Sequence, residues 1–167
     1  YVSVKEFNPN HNIMMATKNG MIKKSSLSLY SKPRKGGIYA IEIRDNDELI
    51  EAKITNGENK IILGTSSGKS ILFNETDIRS TGRKTMGVRG IRLGHSKDKL
   101  IGMIVAEEEG TVLVASSKGL GKRTNIDQYR VQKRGGKGVI TLKTTNKVGN
   151  MVAILDVVET DDLMIIT

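Results

Sequence analysis

The sequence predicts an all-β protein, a propeller-like array of four-stranded blades. Three observations carry that expectation. One segment recurs at intervals of about fifty residues, the apolar segments have the length and composition of strands, and no stretch sustains helical periodicity. The recurring segment is Ile13-Met14-Met15-Ala16-Thr17-Lys18-Asn19-Gly20. It returns as Ile61-Ile62-Leu63-Gly64-Thr65-Ser66-Ser67-Gly68 and as Val112-Leu113-Val114-Ala115-Ser116-Ser117-Lys118-Gly119. Only Glu75-Thr76-Asp77-Ile78 offers even one helical turn.

Each element then takes its place. Tyr1 to Phe7 reads as the last strand of a preceding unit. Every copy opens with the apolar run above, closed by a glycine turn, and continues in a second strand: Met21 to Lys24, Ser70 to Phe73, Leu120 to Thr124. A polar stretch ends in glycines, namely Arg34-Lys35-Gly36-Gly37, Lys84-Thr85-Met86-Gly87-Val88-Arg89-Gly90 and Lys133-Arg134-Gly135-Gly136-Lys137-Gly138. Third strands are expected at Ile38–Ile43, Ile91–Leu93 and Val139–Leu142, some alternating apolar with polar as a half-buried strand does. Fourth strands follow a turn at Leu49–Thr55, Leu100–Ala106 and Met151–Val158. A further copy starts at Leu163, as in a piece of a longer array. The expected units are 1–12 (end of a blade), 13–60, 61–111, 112–162 and 163–167 (start of the next). One such blade cannot cover both its faces, so neighbours must stack.

Composition narrows the function. The 167 residues contain no Cys, which excludes a disulfide framework, a zinc ribbon and a thiol nucleophile. His11 and His95 fall in separate turns and build no local metal site. No apolar run is long enough to span a bilayer, no signal peptide opens the chain, and a reducing cytoplasm is the expected compartment. Aromatic residues make up only 4%, too few for stacking platforms that bind single strands. With few aromatics, Ile, Leu, Val and Met must fill the core.

The net charge of +9 is distributed as a wave. Residues 18–38 sum to +6, 39–68 to −3, 69–92 to +4, 93–117 to −2, 118–138 to +6 and 139–167 to −2. Sign therefore follows the structural repeat, with bases around each second strand and the loop after it. Equivalent blades would align these bases into one positive stripe along a curved edge. A periodic stripe suits a periodic polyanion, and duplex DNA is the candidate, held by its backbone rather than read at its bases.

Other motifs lead nowhere catalytic. Gly64-Thr65-Ser66-Ser67-Gly68-Lys69-Ser70 is one residue short of a P-loop and joins two strands, whereas a P-loop runs into a helix. Glu107-Glu108-Glu109 is an acidic turn without a partner. Neither a catalytic constellation nor a metal or cofactor site is expected.

The segment Gln132-Lys133-Arg134-Gly135-Gly136-Lys137-Gly138 alternates long cations with glycines that admit close backbone approach. Here the chain resembles the C-terminal domain of gyrase A proteins, members of the type IIA DNA topoisomerase family, in which a box reads Q-R-R-G-G-K-G. Six of the seven positions match, Lys133 replacing the first arginine. Thr85-Met86-Gly87-Val88-Arg89-Gly90-Ile91-Arg92-Leu93 and Gly119-Leu120-Gly121-Lys122-Arg123-Thr124 resemble the same family. The box belongs to the first blade in that family, whereas the flanks here resemble the third, fourth and fifth. Either this protein keeps two good boxes, or 132–138 is a blade-joining loop.

The resemblance implies a β-pinwheel, a six-bladed ring whose blades exchange strands, with about three blades supplied by this chain. It implies a duplex DNA partner wrapped on the basic perimeter, and the rest of gyrase A with gyrase B in a bacterial, chromosome-associated holoenzyme. ATP, Mg and the cleavage chemistry would belong to other parts of that enzyme. The candidate DNA contacts are Lys32, Arg34, Lys35, Arg83, Lys84, Arg89, Lys122, Arg123, Gln132, Lys133, Arg134, Gly135, Gly136, Lys137 and Gly138. The A-type component of topoisomerase IV is the alternative relative, and a protein-interaction scaffold the alternative function. Open strand edges at both ends of the array predict self-association.

Overall fold

The computed structural model describes residues 2–106 and 109–164. Eleven strands form three antiparallel sheets, and no α-helix occurs among the described residues. The strands are β1 (Asn12–Thr17), β2 (Met21–Ser26), β3 (Leu49–Thr55), β4 (Lys60–Thr65), β5 (Lys69–Asn74), β6 (Val88–Arg89), β7 (Leu100–Ala106), β8 (Thr111–Ser116), β9 (Gly121–Asn125), β10 (Val139–Ile140) and β11 (Met151–Val157). Sheet orders are β3-β1-β2-β6, β10-β5-β4-β7 and β11-β8-β9.

The first, second and fourth strands lie where the repeat puts them. Each first hairpin closes through a backbone bond from the turn glycine, Gly20 to Thr17, Gly68 to Thr65 and Gly119 to Ser116, at 2.9, 2.9 and 3.1 Å. The P-loop-like segment is the second of these turns. A single 3-10 turn follows each second strand, at Leu27–Tyr30, Glu75–Asp77 and Ile126–Gln128, although the sequence suggests only the middle one.

The third strands depart from expectation in two ways. The two that form are only two residues long: β6 is shifted, covering Val88–Arg89 rather than Ile91–Leu93, β10 starts at Val139 as expected but ends at Ile140, and Ile38–Ile43 forms no strand. They also leave their own repeat. β6 pairs with β2 of the repeat before it (Met21↔Arg89, Ile22↔Val88), and β10 pairs with β5 (Val139↔Ser70, Ile140↔Lys69). Each four-stranded sheet is thus closed by a strand from its successor. The apolar residue after each exchanged strand is a plug, Ile91 and Leu142 being buried, and Ile41 at the matching place in the first repeat is buried too. Residues 2–7, expected as a strand, form none; of the further copy at Leu163, residues 165–167 lie outside the described residues.

Strand alternation builds two cores. On β4, Ile61 and Leu63 turn to the first core with Met14, Ile22, Phe73 and Met103, while Ile62 turns to the second with Leu72, Val112, Val114, Met151 and Ile154. The middle sheet is therefore buried on both faces, and Ile61, Ile62 and Leu63 have no exposed surface. β7 packs on β3 on one side and β11 on the other, so the fourth strands converge on the inside of the arc. β6 and β10, at the opposite end of their sheets, form the outer rim.

Two carboxylates pin the turns before the inner strands. Asp47 accepts from the Thr17 hydroxyl at 2.6 Å and the Asn19 amide at 2.9 Å. Asp98, itself buried, accepts from the Ser66 and Ser67 hydroxyls and from the amides of Ser67, Gly94 and Lys99, all within 3.0 Å. Burial works to raise the Asp98 carboxyl, but those Gly94, Ser67 and Ser66 bonds outweigh it and hold it below the usual carboxylate range.

Candidate nucleic-acid interface

The outer rim is made of three straps that run from the 3-10 turns to the exchanged strands. Each strap turns on a glycine of positive φ, Gly37, Gly87 and Gly138, at 78°, 77° and 69°, the last two immediately before the exchanged strands β6 and β10. At the last two the close approach is severe, since a Cβ would fall 2.3 Å from the Ile22 carbonyl oxygen and 2.4 Å from that of Ser70. Only glycine meets both demands.

Successive straps lie on one another through repeated contacts. Arg83 donates to the Tyr39 carbonyl at 3.2 Å, and Arg134 donates to the Arg89 carbonyl at 3.1 Å. The Glu42 amide bonds the Thr85 carbonyl at 3.1 Å, and the Arg92 amide bonds that of Gly136 at 2.8 Å. The straps therefore form one ribbon along the rim, and the charge wave maps onto it in register.

The box is the third strap. The Gln132 amide bonds the Leu72 carbonyl at 2.8 Å, and the Gly135 amide bonds the Gly90 carbonyl at 2.6 Å. Arg134 also donates to the Asp77 carbonyl at 3.2 Å. Residues 132–138 thus join the third repeat both to the second sheet and to the second strap. Gly136 accepts within the ribbon, and the Gln132 side-chain amide nitrogen is buried without a partner.

The candidate cations divide by what holds them. Lys32, Arg34, Lys35, Lys122 and Lys137 are exposed, and so is Arg89; among the described residues none of these side chains has a hydrogen-bond or ion-pair partner. Lys84 stands 5.9 Å from the Tyr39 ring centroid, a cation–π distance. Lys133 pairs with Asp77 at 3.2 Å and Arg123 with Glu159 at 2.6 Å. Arg83 and Arg134 are half-buried ties between straps.

Sequence reasoning misses three exposed strap arginines, Arg79, Arg92 and Arg130. Arg79 and Arg130 each follow the residue that closes a 3-10 turn, Ile78 and Tyr129, and that shared position is the available signal. Two other bases of the wave turn inward. Lys24 is buried at the first junction, and Lys23 donates to the carbonyls of Ala40 and Arg83. Burial, with the Arg83 charge adding to it, lowers Lys23 to about 8. Among the acids, Glu107 and Glu108 lie outside the described residues, and Glu109 is exposed. Among the described residues no helix is long and apolar enough to cross a membrane.

Comparison with known proteins agrees with this architecture. The family model described as DNA gyrase C-terminal domain, beta-propeller, matches residues 11–56, 59–107 and 110–157, one match per repeat. The chain is 41% identical over 164 residues to the DNA gyrase A protein of Buchnera aphidicola and 40% identical to that of Escherichia coli K12. Each alignment covers 98% of this chain and 19% of the relative, so the chain spans about a fifth of those proteins. Among solved structures, a DNA gyrase A C-terminal domain superposes with a TM-score of 0.82 at 28% identity, covering 93% of this chain and 52% of that one. A topoisomerase IV C-terminal domain shares the fold, with a TM-score of 0.86 at 22% identity over 94% of this chain and 49% of the other. The three repeats, the exchanged strands and the sequence likeness converge: the chain belongs to the DNA gyrase C-terminal domain family.

Proposed function

We propose that this chain is a duplex-DNA-wrapping module of a type II topoisomerase, part of a gyrase A protein. In that enzyme it would support ATP-dependent negative supercoiling on the chromosome, in a bacterial cytoplasm. The module binds and bends without regard to sequence and carries no cleavage chemistry, cofactor or metal of its own. The remainder of gyrase A, together with gyrase B, supplies those. The observation that carries this reading is the strap ribbon: equivalent bonds set successive straps in register, so their cations follow one curved track. Lys32, Arg34, Lys35, Lys84, Arg89, Lys122 and Lys137 are the phosphate ligands. Arg79, Arg92 and Arg130 join them, and Lys133 and Arg123 can exchange a carboxylate for a phosphate. Arg83 and Arg134 hold the track together.

Fluorescence titration of a labelled duplex across salt concentrations tests it. Engagement of about six phosphates gives a log–log slope near −5, with little dependence on sequence. Affinity indifferent to salt, or capture of a polypeptide with no duplex binding at low salt, identifies a protein-interaction scaffold instead.

A further inference from the structure

The rim is not uniformly cationic. At each exchanged strand the outermost cross-strand pair sets one cation beside one long apolar side chain, and the two strands swap roles between junctions. Met21 of β2 faces Arg89 of β6, whereas Lys69 of β5 faces Ile140 of β10. Directly opposite residues in an antiparallel pair share a face, so the two side chains stand together. Ile140 keeps 69% of its surface exposed. The neighbouring repeats follow suit. Leu120 precedes β9 at the place of Met21 and Lys69, and Tyr39 lies two residues after Gly37, as Arg89 does after Gly87 and Ile140 after Gly138, so apolar residues recur at these places.

Phosphate contact alone calls for a base at every such position, and an outermost strand is ordinarily protected by charge. An isoleucine there needs an apolar surface embedded in negative charge. The walls of a DNA minor groove provide one, because the deoxyribose rings line a trough between two phosphate rows. A duplex curved around the rim turns a compressed minor groove inward once per helical turn, and a narrow groove draws cations into it. Insertion between base steps would open that groove and bend the duplex away from the rim, so packing on the sugar walls is the mode that suits wrapping.

We propose that the paired side chains Met21/Arg89 and Lys69/Ile140 face inward-turned minor grooves, the cation at the phosphate rows that flank the groove and the apolar residue against its sugars. This rests on the DNA-wrapping reading above. The test uses the chain with a duplex carrying phased A-tracts, which fixes the rotational setting. Hydroxyl-radical cleavage shows protected sugars about every 10 base pairs, and netropsin, a minor-groove ligand, competes with the protein. Ile140→Thr keeps a strand-forming residue and lowers affinity three- to tenfold per folded molecule, with the salt slope unchanged. Ile140→Lys steepens the slope by about one, yet leaves binding in high salt weaker than in the parent. Binding of Ile140→Thr within twofold of the parent, or binding untouched by netropsin, overturns the groove assignment while a salt-dependent slope leaves the wrapping reading standing. Absence of duplex binding at low salt overturns both.

Discussion

Lys24 and Glu75 meet inside the junction between the first two sheets, with the Lys24 ammonium 3.1 Å from the Glu75 carbonyl oxygen and 3.9 Å from its carboxylate. The carboxylate also accepts from Thr55 at 2.6 Å, Asn12 at 3.2 Å, and the amides of Gly57 and Asn59 at 3.1 and 3.2 Å. At the next junction the same two positions are Leu72 and Ile126, both buried in an apolar core. One fold thus uses an ionic junction and an apolar one side by side.

That difference predicts a coupling. Glu75→Ile leaves a buried ammonium without its counter-charge and costs about 3–5 kcal/mol. Adding Lys24→Leu, which copies the second junction, recovers part of that loss, while the donors from Asn12 and Thr55 stay unmet. Urea melts of the four proteins in the cycle measure it. A double variant as unstable as Glu75→Ile alone contradicts the coupling.

The strap glycines separate backbone strain from collision. Gly138→Ala suffers both a positive φ and the Ser70 carbonyl, and β10 is expected to detach from β5 with a loss of more than about 2 kcal/mol. Gly36→Ala meets nothing within 4 Å and has no positive φ, so its stability stays within about 0.5 kcal/mol of the parent. Thermal melting ranks the pair. Hydrogen exchange at the Lys69–Asn74 amides, accelerated only in Gly138→Ala, locates the damage.

Lys23 predicts a rise of stability with alkaline pH. Its folded value of about 8 lies below the unfolded 10.5, so between those pH values the unfolded chain binds the extra proton and unfolding becomes less favourable as pH increases. Burial raises both Tyr30 and Tyr129, which keep their protons longer in the folded state and oppose the trend above about pH 10. Denaturant midpoints measured from pH 7 to 10 should climb in the parent and stay flat in Lys23→Met. A parent midpoint that falls across this range refutes the assignment.

The repeat and three of its four strands are legible because each is written in contiguous apolar residues with a glycine turn at the end. The exchange of strands is not. β6 holds only Val88 and Arg89, and the edge that receives them belongs to Met21 and Ile22, far earlier in the chain. Ile91 reads as the first residue of a strand because it is apolar, but it is a plug beyond the strand's end. Lys23 and Lys24 read as solvent-facing charge, since composition does not reveal that carbonyls wait at the end of a buried aliphatic stem. The charge wave itself is legible, and the ribbon bonds that bring its crests together become visible only in three dimensions.

Within the box, Arg134 and Lys137 are expected to part ways. Arg134→Ala removes donors to Asp77 and Arg89, so it lowers the melting temperature by several degrees for a loss of about 1–2 kcal/mol. Lys137→Ala touches no protein partner and leaves melting unchanged, while it weakens duplex binding and reduces the magnitude of the salt slope by about one. Calorimetry beside the duplex titration distinguishes them. Equal melting with equal loss of binding would make both simple phosphate ligands.

Closure of the two four-stranded sheets by a later repeat also sets a timetable for the nascent polypeptide. While a ribosome is still adding the residues before Val88, the Met21–Ser26 edge has no lid, and Lys69–Asn74 waits likewise for Val139. Maturation should advance one repeat behind synthesis, leaving the newest second strands as unguarded edges for chaperones to shield.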